Sequence, residues 1–182
     1  MICSIHQPNF FPHQPFFKKM EQADIFVILT QCQFSKNNYQ NRFKYKYKWH
    51  TMRVPHGLKP IYQKEYIDPL SDWQKIKENI SGIDLNRFDN CIEKNLANTN
   101  INIIRAIAKT LHIQTEIAED YPTQLKGTER LVDICKTMRA TKYISGGSGV
   151  NYMDLGLFEK NGIEIIHQPL EPSKSILDIL YA

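Results

Sequence analysis

The chain has 182 residues, 42% of them hydrophobic and 23% charged, with 23 Lys and Arg against 19 Asp and Glu for a net charge of +4. That size and balance suit one globular domain over residues 1–182 with a full hydrophobic core. No apolar run approaches the ~20 residues that span a bilayer, and no charged-then-apolar leader opens the chain, so a cytoplasmic protein is expected.

The elements are read from apolar periodicity. Ile2 to Ile5 is a short buried strand, Phe16 to Gln22 an amphipathic turn or two of helix, and Asp24 to Leu29 a nearly continuous apolar run rich in β-branched residues. From Gln33 to Val54 the period is close to two, which predicts an antiparallel excursion before the loop at Gly57 and Pro60. Ser71 is placed to cap a helix through Ile80, and Leu96 to Leu111 carries Ile101, Ile104, Ala108 and Leu111 at helical spacing. The asparagines between Asn95 and Asn102 blur where that helix begins. Ile113 to Ala118 alternates like a strand, Thr128 precedes a helix, and Lys142 to Ser145 is a strand running into Gly146-Gly147-Ser148-Gly149. Tyr152 to Asn161 reads as a helix stopped by Gly162, and Ile163 to Ile166 as a last buried strand.

Strands alternating with helices predict an α/β fold: a mostly parallel sheet flanked by helices in a Rossmann-like three-layer arrangement, with an antiparallel basic ribbon near residues 33–54. Ligands of such sheets bind beyond the carboxyl ends of strands, near the switch in strand order. Two loops leave strand carboxyl ends, His6 to Pro12 and Ser145 to Asn151, and both are candidate site loops.

Charge placement matters more than net charge. No acidic residue falls between Asp24 and Glu65, whereas Lys36, Arg42, Lys44, Lys46, Lys48, Arg53, Lys59 and Lys64 all do. Phe43 to Trp49 alternates aromatic and basic residues, as in a strand with its aromatics in the core and its lysines in water. The lysines either protect a solvated edge strand from mispairing or form a surface that attracts phosphate. Cys3, Cys32, Cys91 and Cys135 are scattered without a C-x-x-C pair, which reads as reduced thiols and not a disulfide framework or zinc site.

His6 is either a core histidine or a general acid/base, and is the candidate catalytic residue. Gln7, Asn9, Gln40 and Asn41 offer amides suited to sugar hydroxyls or a base edge, or else to fixing their own loops. Arg42 can grip a phosphate or carboxylate in bidentate fashion, and Lys36 adds a point charge. Ser145, Gly146 and Gly147 can present backbone amides to a phosphate, although a tight turn explains the glycines as well. Asp154 is either a first-turn helix residue or a substrate contact. No cluster of His, Asp or Glu has metal-ligand spacing, and no cofactor is named by a motif.

Gln7-Pro8-Asn9-Phe10-Phe11-Pro12, Phe17, Lys19, Ala23-Asp24-Ile25-Phe26-Val27, Gln33-Phe34-Ser35-Lys36, Gln40-Asn41-Arg42 and Trp73 together resemble the WbqC-like proteins of bacterial polysaccharide and O-antigen clusters. Weaker agreement runs through Tyr143-Ile144-Ser145-Gly146, Tyr152-Met153-Asp154, Gly162-Ile163 and Ser175-Ile176-Leu177-Asp178. The resemblance implies a role in building surface glycans, with transfer of glycine or another acyl group to an amino sugar. His13-Gln14-Pro15 and Thr30-Gln31 depart from the family pattern, the latter replacing paired acidic residues, so no acid, base or metal role carries over there. The tail between Ile166 and Ser175 is shorter than the family's. The opening strand, loop and helix also look like the start of a nucleotidylyltransferase-type fold, but His6 and His13 are too far apart to form its His-x-x-His motif.

Two function classes follow: a transferase binding a phosphorylated or nucleotide-linked substrate, or a nucleic-acid or nucleotide binding module using the basic aromatic ribbon. The oligomeric state is not encoded in any motif. The transferase site requires the His6 to Pro12 loop to meet the Gln33 to Arg42 segment.

Overall fold

A computed structural model describes residues 1–147, 149–169 and 174–182. Its strands are β1 (Ile2–His6), β2 (Ile25–Ile28), β3 (Arg42–Tyr45), β4 (Lys48–Thr51), β5 (Glu116–Glu119), β6 (Lys142–Ser145) and β7 (Glu164–His167). Its helices are α1 (Gln14–Glu21), α2 (Pro69–Asn79), α3 (Leu96–Thr110), α4 (Gly127–Thr137), α5 (Leu155–Lys160) and α6 (Ile176–Leu180). The chain divides into two compact units: the first comprises Met1–His6, Pro15–Leu29 and the described residues from Ile113 to 169, the second Gln7–Gln14, Thr30–His112 and Lys174–Ala182.

The first unit is a five-stranded sheet in the order β5-β2-β1-β6-β7, with every pairing parallel. All four residues of β2 are buried, as expected of a strand covered on both faces. Cys3, Ile5, Ile25, Val27 and Tyr143 pack with Val132 and Cys135 of α4 and Phe158 of α5. On the opposite face α1 sets Phe16 against Phe26, ring centroids 4.9 Å apart. The α/β sheet with helices on both faces is therefore the one expected. The chain starts in the middle of the sheet, runs outward through β2 and β5, and returns to the other side of β1 with β6, so strand order switches between β1 and β6.

The second unit holds the antiparallel pair β3 and β4 and an aromatic core. Phe11 stacks on Trp73 (5.8 Å, 13°) and meets Phe43 at 4.9 Å and Phe88 at 5.0 Å, while Phe10 meets Phe43 at 5.5 Å. Rings in these offset and edge-on arrangements contribute beyond the area they bury. Phe10 and Phe11 are thus core anchors, and Phe11 takes a left-handed φ of 47° to reach its place.

Three local expectations are corrected. The Phe43 to Trp49 alternation is not one strand but a hairpin, because Lys46 and Tyr47 adopt φ of 44° and 66° and make a tight two-residue turn of the kind that matches strand twist. The turn breaks the aromatic face: Phe43 and Tyr45 are buried, while Tyr47 is 93% and Trp49 43% exposed. Helix α2 is capped by Asp68, whose side chain accepts from the Ser71 N–H at 3.2 Å; Pro69 then occupies a first-turn position that needs no N–H, so the helix begins ahead of Ser71. The glycine loop leads not into a helix but into a 3-10 turn, Gly149–Tyr152, and α5 starts only at Leu155. Ser148 and residues 170–173 of the short tail lie outside the described residues.

The four asparagines near α3 are sorted by position. Asn95 caps the helix by accepting from the Asn98 N–H at 3.0 Å, and Asn98 and Asn102 each donate to the Glu93 carboxylate. Asn100 is fully buried.

Candidate functional site

In the first unit, His6 ends β1 and Ser145 ends β6, the two strands between which the order reverses. Ser4 pairs with Ile144, so the residues that follow bring His6 level with the Ser145, Gly146 and Gly147 segment at the switch, where α/β sheets open a crevice. His6 is half-buried, its ring edge-on to Phe16 at 5.0 Å, and its carbonyl accepts from the Leu29 N–H at 2.8 Å. Ser145 is buried and donates through Oγ to the Gly146 carbonyl at 3.1 Å. The Gly149 N–H bonds to the same carbonyl at 2.8 Å. A Cβ at Gly149 would stand 2.6 Å from Ser145 Oγ, so a side chain there would displace the Ser145 hydroxyl.

Asp154 is exposed and caps α5, its Oδ1 accepting from the Leu157 N–H at 3.2 Å while its own N–H donates to Thr128 Oγ1 at 2.9 Å. Lys19 is buried beside β1: its Nζ donates to the Ile5 carbonyl at 2.9 Å. Burial pulls its pKa down to about 7, opposed only by the Cys3 thiol.

In the second unit, the Gln7 to Pro12 loop and the Gln33 to Arg42 segment converge. Gln40 Nε2 donates to Gln7 Oε1 at 2.7 Å, and Gln40 Oε1 accepts from the Ser35 N–H at 2.9 Å. Gln7 Nε2 reaches Cys32 Sγ at 3.2 Å, and the Phe10 N–H bonds to the Tyr39 carbonyl at 2.8 Å. Asn41 donates to the Met52 carbonyl at 2.8 Å. Asn100 joins the two segments from below, donating to the carbonyls of Pro8 at 2.8 Å and Gln40 at 2.7 Å and accepting from Tyr66 at 3.2 Å. The amides of Gln7, Gln40 and Asn41 therefore hold the loops in place. Asn9 is half-buried beside them.

Beside these loops lies a groove of about 490 Å3, lined by Lys36, Arg42, Arg53 and Lys64 together with Asn41, Phe34, Val54, Leu58 and Ile67 and, among the described residues, by no carboxylate. Arg42 holds its guanidinium 4.1 Å from the Trp49 ring centroid and donates to the Asn37 carbonyl, while its buried Nε has no hydrogen-bond partner. Arg53 is tethered by Asp72, which accepts from both its backbone N–H and its Nε at 2.7 Å. Lys64 is 1% exposed, donating to the carbonyls of Pro55 at 2.9 Å and Gly57 at 2.8 Å. Burial, and then the nearby Lys59 charge, lower its pKa. Of these cations Arg53 is paired with Asp72, and clustered positive charge of this kind raises the local potential for anions.

Lys64, Arg53 and Asn100 were not legible as site residues. The acid-free interval foreshadowed the first two as charges, but nothing in the sequence marks which of eight cations folds inward. Among the described residues no group of three His, Cys, Asp or Glu could hold a metal ion, and no helix is long and apolar enough to cross a membrane. The four cysteines are free thiols.

A parallel sheet with its strand order reversing beside the first strand, and a second unit with a groove lined by four cations, define an α/β protein with a basic second unit. The chain belongs to the WbqC-like protein family, whose model matches residues 7–81 and 84–176. It is 26% identical over 216 aligned positions to the uncharacterized protein Rv1507c of Mycobacterium tuberculosis, covering 98% of this chain and 92% of that protein. No solved structure matches it.

Proposed function

We propose that the protein is a transferase in the modification of surface-polysaccharide (O-antigen) sugars, passing an acyl or aminoacyl group to an amino sugar and binding a phosphorylated or nucleotide-linked substrate. The observation that carries this reading is the groove lined by Lys36, Arg42, Arg53 and Lys64 and, among the described residues, by no carboxylate, with Arg53 paired to Asp72. In the reaction the sugar amine attacks the acyl carbon, a C–N bond forms, the acyl–oxygen bond breaks with its electron pair on the leaving oxygen, and the amine proton passes to a base. His6 is the assigned base. Ser145, Gly146 and Gly147, beside the end of β1, are assigned to substrate contact, as is Asn9.

The anion assignment is tested by calorimetric titration of nucleotides, sugar nucleotides and inorganic phosphate. Replacing Arg42 and Lys36 by glutamine is expected to weaken phosphate binding by about tenfold to a hundredfold per charge-assisted hydrogen bond lost. His6→Asn is expected to abolish transfer while leaving that binding and the unfolding midpoint in place. Unchanged phosphate affinity in the double variant, or full transfer without His6, would remove the corresponding assignment.

A second reading draws on the hairpin, where exposed Tyr47 and Trp49 stand among Lys44, Lys46 and Lys48. Single-stranded nucleic acid binds such surfaces by base stacking and phosphate contacts. This reading expects oligonucleotide affinity that falls steeply with salt, and a loss of about tenfold for Tyr47→Ala or Trp49→Ala. Absent or salt-insensitive binding would exclude it.

A further inference from the structure

We infer that the groove of the second unit takes an amphipathic phosphate, a phosphate monoester whose anion sits on Lys64, Arg42 and Lys36 and whose apolar chain lies along Leu58 and Ile67. The inference rests on the anion-binding reading above and specifies the ligand's other half.

The anion end is argued from Lys64. A buried ammonium is costly unless compensated, and this one has two carbonyl acceptors for its three N–H groups, the Phe34 ring 5.0 Å away and, among the described residues lining the groove, no carboxylate. Arg42 adds a second cation to the lining of the same groove, its buried Nε without a hydrogen-bond partner among the described residues. Lys64 and Arg42, with Lys36, thus set three positive charges on one groove that no carboxylate lines among the described residues.

The apolar end is argued from the lip. Leu58 is 83% and Ile67 51% exposed, and both line the groove whose wall continues through Val54 to the buried ring of Phe34. One exposed leucine is ordinary. Two large aliphatic side chains on the lip of one cationic groove form a wall that inorganic phosphate or a bare sugar phosphate would leave wet. A volume of about 490 Å3 also lies within the roughly 300–1,000 Å3 usual for sites that enclose a ligand much larger than a single phosphate.

The experiment titrates the full chain with inorganic phosphate and with ethyl, butyl, hexyl and octyl phosphate. Affinity is expected to rise about three- to fourfold per methylene until the wall is covered. Leu58→Asn and Ile67→Asn, uncharged changes at exposed positions, are expected to flatten that series without changing the affinity for inorganic phosphate, whereas Arg42→Gln lowers every member alike. Phosphate binding with no dependence on chain length would overturn this inference and leave the anion-binding reading standing. Failure of every phosphate to bind would overturn both. Binding to vesicles of anionic phospholipid without binding to soluble octyl phosphate, or a nucleoside monophosphate binding more tightly than octyl phosphate, would also overturn it.

Discussion

Replacing Lys19 by methionine is expected to stabilise the protein at neutral pH and to remove a rise in stability between about pH 6 and 8.5. In the folded chain the Lys19 amine titrates near 7, well below its ordinary 10.5, chiefly because burial penalises the ammonium. The unfolded chain therefore holds more protons at this position throughout the interval between those values. Stability rises with pH wherever the unfolded state binds the excess. The destabilisation is fully present below the folded value and disappears as pH climbs to the unfolded one. Between pH 6 and 8.5 the relief amounts to about 2 kcal/mol. Methionine fills a similar volume and loses the bond to the Ile5 carbonyl and the contact of the ammonium with the Phe26 ring at 5.7 Å, together a loss of about 1–3 kcal/mol. Urea unfolding of both proteins across that range checks the difference, in which titrations common to both cancel. Parallel stability profiles for the two would refute the argument.

Asn100→Ala is expected to cost about 2–5 kcal/mol. The substitution strands three buried groups at once: the carbonyls of Pro8 and Gln40, and the hydroxyl of Tyr66. Each buried polar group left unpaired costs about 1–3 kcal/mol, partly recovered by relaxation. Tyr66→Phe, which removes only one partner and leaves the other two bonds, is expected to cost about 1 kcal/mol. Function follows stability here, since Asn100 ties the Gln7 to Pro12 loop to the segment carrying Arg42. Phosphate affinity is therefore expected to fall in the alanine variant even where it remains folded. Unfolding midpoints and phosphate titrations test both effects, and a loss below 1 kcal/mol would show that the two loops are held by other contacts.

Much of the sheet was legible because its signals are local. The β-branched run at Ile25 to Ile28 and the strand at Lys142 to Ser145 declare themselves in four or five residues, and alternation with helices leaves parallel pairing as the economical solution. The cap of α2 was misplaced because Ser71 and Asp68 are both competent N-caps and only the path of the chain chooses between them. The antiparallel ribbon was expected and is present, but its turn inside the Phe43 to Trp49 alternation was missed because two left-handed non-glycine residues, Lys46 and Tyr47, have no sequence signature. Alternation continues through such a turn while the buried face does not.

By itself the sequence determined the α/β class, the family and the acid-free basic interval. These rest on composition, short periodicities and motifs, which act over a few residues. Only the tertiary structure decided that Gln7, Gln40 and Asn41 spend their amides holding loops, that Phe10 and Phe11 are core, and that Lys64 turns inward to share a groove with Arg42 and Arg53. Burial and partnership are set by residues distant along the chain, as Asn100 is from Pro8, and a charge or an amide has the same appearance in sequence whether it faces water, a carbonyl or a ligand.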